Sequence, residues 1–325
     1  MKILVTGGAG YIGSHMALNL LDTGHSVTVI DDLSNGNKEL IPKEADFLHA
    51  QVGDIRKIER EIDLKKYDAA IHFAAKISVE ESTQDPISYF KNNVLQSIEF
   101  IELCVKHQIK NFIFSSTAAI YKSKELGNIK EDDIKKPNSP YGLSKLALED
   151  FLIELSQKGA FNLGILRYFN VAGADPFKRS GQISKVSTHL LKILAEYVVG
   201  KRKKVFVYGD DYVTEDGTGI RDYIHVSDLV DIHSLTLDKI REDSTNLILN
   251  CGYGRGFSVL EIIKAFEQIA GKKVNFEVKR RRPGDVSRLV ADITLLSKNL
   301  SWNPKYSHIE NIISDAIEWE KKISD

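Results

Sequence analysis

Hydrophobic positions along this 325-residue chain change period again and again through its first half. Residues 2–6, 26–30, 46–50, 69–74, 111–115 and 163–168 form short apolar runs, and the stretches between them carry apolar residues at helical spacing. Short strands alternating with helices predict an α/β fold with a parallel sheet covered on both faces. The first helix runs to about residue 23 and stops on Gly24, which takes the left-handed conformation that ends helices. Beyond Asn170 the alternation breaks down. Residues 175–187 are polar and read as loop, 188–200 as an apolar helix and 205–208 as a strand. Ser258-Val259-Leu260-Glu261 is a capping box opening a further helix, so Gly252, Gly254 and Gly256 before it read as a turn.

The first strand runs into Gly7-Gly8-Ala9-Gly10-Tyr11-Ile12-Gly13, and the second is closed by Asp31 and Asp32. Strand, glycine turn, helix, strand and then an acid form the dinucleotide fingerprint in the context it requires. The glycines let backbone N–H groups approach a pyrophosphate at a helix N-terminus. Asp31 accepts hydrogen bonds from a ribose 2′-hydroxyl and repels a 2′-phosphate, which favours NAD over NADP. The fold class is therefore a Rossmann-type doubly wound parallel sheet with a smaller carboxyl-terminal α/β substrate lobe. Residues 1–170 make the NAD-binding domain and 171–325 mainly the substrate lobe, with parts of 220–250 returning to the Rossmann sheet. Gly53-Asp54-Ile55-Arg56 and Phe73-Ala74-Ala75 follow the third and fourth strands, at the sheet edge where ligands bind. Asp54 is either an adenine contact or a helix N-cap. Asn92-Asn93 faces either solvent or the cofactor.

Ser139-Pro140-Tyr141-Gly142-Leu143-Ser144-Lys145 places a tyrosine and a lysine one turn apart on one helix face. Ser139 is a suitable N-cap and Pro140 a suitable first helical residue. An ammonium beside the phenol lowers its pKa. Moving a tyrosine from about 10 to about 7 requires roughly 4 kcal/mol. A unit charge at about 5 Å in an effective dielectric of about 20 supplies roughly 3 kcal/mol. Taken alone, the pair is an ordinary surface feature of an amphipathic helix; the glycine fingerprint turns it into candidate chemistry. Ser115-Ser116-Thr117 puts hydroxyls at the end of the fifth strand, and no G-x-S-x-G surrounds them, so a serine hydrolase is excluded.

Composition narrows the setting. With 42% hydrophobic and 27% charged residues the chain can bury a large core, and its net charge of −1 creates no field attracting nucleic acid or an anionic membrane. The two cysteines, Cys104 and Cys251, show no metal-ligand spacing, so no metal is expected. No signal peptide or membrane-spanning stretch is evident, and a reducing, cytoplasmic location is expected. Lys201-Arg202-Lys203-Lys204 reads as a solvated helix end. Arg280-Arg281-Arg282-Pro283-Gly284-Asp285 is either a guanidinium fork for phosphate before a Pro-Gly turn or a solvated basic loop.

Nearly end to end, the chain resembles the extended short-chain dehydrogenase/reductases, and within them the UDP-glucose 4-epimerases. The resemblance rests on Gly10-Tyr11-Ile12-Gly13-Ser14-His15, Asn111-Phe112-Ile113-Phe114-Ser115-Ser116, Ser139-Pro140-Tyr141-Gly142 and Leu166-Arg167-Tyr168-Phe169-Asn170. Its most specific part is Thr214-Glu215-Asp216-Gly217-Thr218-Gly219 leading into Arg221-Asp222-Tyr223-Ile224-His225-Val226, and Arg282 to Asp285 completes the set. It implies that Tyr141 is the general base and acid, Lys145 its partner, and Thr117 the hydroxyl shared with the sugar oxygen. It puts NAD against Gly7, Gly10, Tyr11, Ile12, Gly13, Asp31, Asn35, Asp54, Ile55, Phe73, Ala74, Ala75, Asn92, Ser115, Lys145 and Tyr168. It puts a UDP-hexose against Thr117, Asn170, His189, Leu190, Tyr208, Arg221, Arg282, Asp285 and Leu289. Thr117 replaces the serine often found there and keeps the hydroxyl. A lysine that some members place near position 77 is absent, and Lys76, one position off, is not carried over.

The implied activity is NAD-dependent epimerisation at C4 of a UDP-hexose, interconverting UDP-glucose and UDP-galactose, in a homodimer. A UDP-N-acetylglucosamine 4-epimerase, another nucleotide-sugar epimerase or a non-catalytic NAD sensor are the alternatives. A 4,6-dehydratase needs an acidic pair where Ala118 and Ala119 stand. Leu289 falls where a tyrosine in the resembling enzymes goes with restriction to UDP-glucose and UDP-galactose; the other reading is that it only packs.

Overall fold

Six of the short apolar runs, joined by residues Leu247–Cys251, satisfy their backbone groups in one sheet. A computed structural model of the chain describes residues 1–122, 124, 126–183, 188–282 and 285–324. Strands β1 (Lys2–Thr6), β2 (Ser26–Asp31), β3 (Asp46–His49), β4 (Ala69–His72), β5 (Asn111–Thr117), β6 (Asn162–Tyr168) and β7 (Leu247–Cys251) lie in the order β7-β6-β5-β4-β1-β2-β3. All six pairings are parallel. The order reverses between β1 and β4, and the crevice at that switch point is where such sheets bind ligands.

Alternation along the strands gives the sheet two buried faces. Ile3, Val5 and Ile113 pack with Met16 and Leu20 of helix Tyr11–Asp22 and with Leu229 and Ile232 of helix Val226–Asp243. Leu4, Phe112 and Phe114 pack with Phe100 of helix Gln96–Lys106 and with Leu148 and Leu152 of helix Pro140–Gln157. β5 extends two residues beyond the predicted 111–115, because Ser116 and Thr117 stay paired with Arg167 and Tyr168 of β6. β4 stops at His72, two residues before the end of its apolar run, and the chain then turns across the first glycine loop.

The smaller lobe is built on helices Leu190–Val198, Val259–Ala270 and Ile309–Lys322, joined through Leu194, Phe266 and Ile313. Strand Ile220–His225 lies between Gly256–Ser258 and the two short segments Asn170–Ala172 and Arg288–Leu289. The Ser258 capping box forms as predicted. Gly252 and Gly254 are in the turn before it, whereas Gly256 already pairs with Asp222. The buried Asp222 carboxylate fixes this turn by accepting from Tyr253 and Gly254 N–H, both at 2.9 Å. Part of the loop predicted over 175–187 (184–187) lies outside the described residues, as does the Pro283-Gly284 turn.

The basic run lies largely exposed just past the end of helix Leu190–Val198, as read, and three of its four charges are also paired. Lys201 bonds at 2.8 Å to the buried Glu320, which also holds Lys192; Arg202 pairs with Glu196 and Lys204 with Glu277. Glu320 and Glu277 come from distant elements, and Glu196 from the preceding helix.

Gly13→Ala is expected to damage the fold at its first turn, since a Cβ there falls 2.2 Å from the Gly7 carbonyl oxygen. Forced overpacking of this kind costs about 1–3 kcal/mol. A thermal melt checks it: a melting temperature equal to the wild type's contradicts the steric argument.

Candidate active site

The glycine loop is shaped by contacts that exclude side chains. Gly7 has φ +70° and its missing Cβ would lie 2.7 Å from the Ala74 amide, so the loop sits directly on the Phe73-Ala74-Ala75 turn after β4. At Gly10 a Cβ would meet only the Gly7 oxygen, at 3.2 Å, which leaves the outer side of the loop open to a ligand. The helix that begins at Tyr11 and Ile12 has no side-chain cap and no acid in its first turn. Its positive end is therefore free for an anion. The buried Asp31 carboxylate ends β2 and accepts from the Ala9 N–H at 3.0 Å and the Leu33 N–H at 2.8 Å. Each oxygen keeps lone-pair capacity for a ribose hydroxyl. Burial pushes its pKa up, and the two backbone donors oppose that shift. These features fit a dinucleotide.

The other cofactor candidates ring the same edge. Asn35 is exposed in the loop after β2. Asp54 is the N-cap of helix Ile55–Glu61, accepting from the Lys57 N–H at 3.3 Å, which realises the capping alternative. The Asn92-Asn93 pair turns inward. Asn93 is buried and clamps Lys76 through its N–H and carbonyl, at 2.8 and 3.0 Å, and Ser144 at 3.1 Å. Asn92 leans on it at 3.0 Å. The Tyr168 hydroxyl at the end of β6 meets His233 Nε2 at 2.5 Å.

Tyr141 and Lys145 arrive as the sequence predicts. Ser139 caps the Gly142 N–H at 3.2 Å with Pro140 in the first turn. Gly142 is needed because a Cβ there would fall 2.5 Å from the Ala119 carbonyl oxygen, and this close approach brings the helix start onto the end of β5. The Thr117 hydroxyl acts on the Tyr141 phenol, pulling its pKa down. The buried Lys145 Nζ donates to the Ser115 carbonyl at 2.8 Å, reaches Ser115 Oγ at 3.4 Å, and stands 4.8 Å over the Phe114 ring.

One expectation is reversed. With the protein's own groups alone, burial pushes the Tyr141 phenol up to about 12, against the pull of Thr117. Burial also lowers Lys145 to about 7, opposed by Glu149. A turn of helix separates the two residues, but the ammonium reaches back to Ser115, and desolvation dominates at the phenol. Sequence reasoning also missed Glu149 and Arg167, a buried ion pair directly behind Lys145. An arginine inside the apolar strand β6 was the available signal.

On the substrate side Asn170, His189 and Leu190 line one cleft together with Gln182, Lys192 and Tyr223. Arg221 pairs with Asp285, and the Tyr212 hydroxyl donates to Asp285 at 3.3 Å. The neighbouring arginines do not form a fork. Arg281 is engaged by Asp211 at 2.5 Å and the Tyr212 ring, whereas Arg282 lies 4.0 Å over the Tyr208 ring. Leu289 pairs in register with Arg221 and is half-buried against a cluster containing Ala118, Ile120 and Phe169. It borders the Thr117 turn as well as packing.

Residues 3–252 match the NAD dependent epimerase/dehydratase family. The chain belongs to this family. A UDP-glucose 4-epimerase of Azospirillum brasilense is 42% identical, covering 99% of this chain and 92% of that one. A UDP-glucose 4-epimerase from Stenotrophomonas maltophila, crystallised with bound NAD and formylated UDP-arabinopyranose, is similar with a TM-score of 0.95 and 34% identity over 100% of this chain and 99% of that chain. The UDP-Glc/GlcNAc 4-epimerase of Campylobacter jejuni is similar with a TM-score of 0.85 and 42% identity over 99% of each chain. As in the rest of the epimerase/dehydratase family, NAD is the cofactor, and the glycine loop and Asp31 fit it.

The two pKa values order the titrations. Below about pH 7 both Lys145 and Tyr141 hold their protons; above it the pair has lost one, and the phenol's own loss waits until about 12. Turnover that needs a base is expected to fall as pH drops through about 7. Lys145→Ala leaves a phenol without its ammonium, so its activity is expected to rise only toward high pH. A pH–rate series on both proteins checks this, and superimposable profiles refute the coupling.

Proposed function

We propose that the protein is a UDP-hexose 4-epimerase interconverting UDP-glucose and UDP-galactose, with Tyr141 as the proton-transfer group. The observation that carries this reading is Tyr141, whose phenol pKa the Thr117 hydroxyl pulls down, one turn from a buried Lys145 tied to the Ser115 carbonyl, at the same sheet edge as the open glycine loop. Residues 1–170 together with 226–251 form the NAD-binding unit, and the rest mainly holds the UDP-sugar. Gly7, Gly10, Gly13 and the first turn of the helix hold the pyrophosphate, Asp31 the ribose, and Phe73 to Ala75, Ser115, Lys145 and Tyr168 the nicotinamide end. Bound NAD supplies a reversible acceptor for the C4 hydride.

Tyr141 takes the O4 proton as C4 is oxidised and returns it when the 4-keto sugar is reduced on its other face. Thr117 fixes O4 against the phenol. Between the two half-reactions the sugar must turn over, which requires a firm grip on the diphosphate and a loose one on the hexose. Arg221 and Arg282 provide the first, and the half-buried apolar wall at Leu289 the second. Ala118 and Ala119 offer no acid for dehydration. A non-catalytic NAD sensor has no use for an intact Tyr141–Lys145 pair. Tyr141→Phe removes only the ionisable oxygen. It is expected to lower turnover at least about a hundredfold while nicotinamide dinucleotide still co-purifies, and near-wild-type turnover refutes this reading.

A homodimer is supported by exposed apolar side chains on adjoining helices: Ile87, Leu95 and Leu143 are 69%, 57% and 48% exposed. A reducing cytoplasm suits Cys104 and Cys251, which are buried and unpaired. Among the described residues no helix is long and apolar enough to cross a membrane.

Sugar range depends on Leu289. The Campylobacter jejuni relative is described as acting on both UDP-Glc and UDP-GlcNAc, which favours a second, acetylated substrate here. An apolar wall discriminates by only about 1–3 kcal/mol per misfitting group. UDP-glucose/UDP-galactose is expected as the main pair, with slower turnover of UDP-N-acetylglucosamine. Leu289→Tyr is expected to suppress the acetylated substrate selectively and Leu289→Ser to favour it. Measured kcat/KM values for both sugars decide, and equal changes for the two make Leu289 structural.

A further inference from the structure

Three successive turns of helix Pro140–Gln157 carry Tyr141, Lys145 and Glu149, and three successive residues at the end of β5 hold them. The Thr117 hydroxyl acts on the Tyr141 phenol, the Ser115 carbonyl accepts from Lys145 Nζ, and Ser116 Oγ donates to Glu149 Oε1. Glu149 is fully buried, as is Arg167, which stands in register with Ser116 on β6. Arg167 Nε lies 3.1 and 3.2 Å from the two Glu149 oxygens and Nη2 lies 2.7 Å from Oε2. Its remaining nitrogen, Nη1, donates to the Tyr121 hydroxyl at 2.7 Å and the Glu131 carbonyl at 2.8 Å. Buried ion pairs add little stability over apolar residues of the same volume. Stability alone gives no reason for this one to lie a single turn behind Lys145.

The proposed roles of Tyr141 and Lys145 are the ground for the next step. We propose that Glu149 is a positioning residue for the reaction: locked by Arg167 and Ser116, it supplies the buried negative charge that keeps Lys145 an ammonium against the Ser115 carbonyl. Among the described residues the surrounding elements offer no substitute. β4 presents His72, kept neutral by burial and by Lys145 itself. β6 presents Tyr168 and Arg167, β7 the buried Cys251 thiol, and the turn at Lys91–Leu95 the neutral Asn93. Tyr121 is a neutral phenol, and the Glu131 carboxylate accepts from the Asn250 N–H at 2.8 Å. Among the described residues Glu149 is the one anion acting on Lys145, and it opposes the loss of charge that burial imposes.

The test compares Glu149→Gln, Glu149→Asp and wild-type holoenzyme across pH. Gln keeps the shape and removes the charge; Asp keeps the charge and shortens the reach. Glu149→Gln is expected to lower kcat/KM about tenfold near pH 7, the equivalent of one pKa unit, with the deficit shrinking as pH rises toward the phenol's own titration. Glu149→Asp is expected to keep the wild-type profile. If Glu149→Gln does not fold, Glu149→Gln/Arg167→Met, which buries no unpaired charge, is expected to show the same pH-dependent deficit. A deficit constant across pH, one matched by Glu149→Asp, or a wild-type profile in the charge-removing variants overturns the proposal. NMR titration of Lys145 in lysine-labelled protein reads the charge directly, and an unmoved titration in Glu149→Gln also overturns it. A wild-type enzyme that fails to epimerise UDP-galactose refutes the functional reading instead, and the Lys145 titration still decides the role of Glu149.

Discussion

The end of β5 is the constraint on which the site depends. Ser115, Ser116 and Thr117 remain in parallel register with Leu166, Arg167 and Tyr168, so the ladder continues to the last residue before the chain turns. That continuation fixes the Ser115 carbonyl, the Ser116 hydroxyl and the Thr117 hydroxyl on rigid backbone. Helix Pro140–Gln157 is then pulled against them by a glycine contact, Gly142 on the Ala119 carbonyl, and by the Glu149–Arg167 pair. Each candidate group of the helix is positioned by strand atoms rather than by a loop, the arrangement that holds reacting groups most precisely.

Burial works against both members of the candidate pair. It drives Lys145 toward its neutral amine and Tyr141 toward its neutral phenol, the reverse of what an isolated lysine beside a tyrosine would do. A dry site strengthens every remaining interaction, so a few buried groups then decide which atom holds the shared proton. Glu149 behind the lysine and Thr117 beside the phenol are the two that this chain provides.

The lobes are joined where the cofactor helix begins. The Tyr11 hydroxyl donates to the Gly173 carbonyl at 2.7 Å, and the Ser14 and Ser180 hydroxyls meet at 2.6 Å. Arg179 bridges Asp175 and Asp22, both at 2.9 Å. The segment 173–180 therefore leans on the helix of the glycine loop, and its other neighbours, Asn170 to Ala172, line the cleft with His189 and Leu190. The glycine loop and the substrate cleft share one support.

Local sequence determined the sheet, the glycine loop and the Ser139 cap, because these follow from periodicity, from steric exclusion within a few residues and from one hydroxyl. It also determined that Tyr141 and Lys145 share a helix face. Tertiary structure alone decided the rest. Arg281 and Arg282 are adjacent in sequence, yet Asp211, some 70 residues away, takes one, and the Tyr208 ring takes the other. Nothing local pairs Lys201 with Glu320, which lies more than a hundred residues away. The titration of Tyr141 and Lys145 depends on how much water the fold removes, and Glu149 matters only because β6 carries Arg167 to meet it. Spacing along a chain gives direction on a helix; desolvation and the choice of partner are properties of the packed molecule.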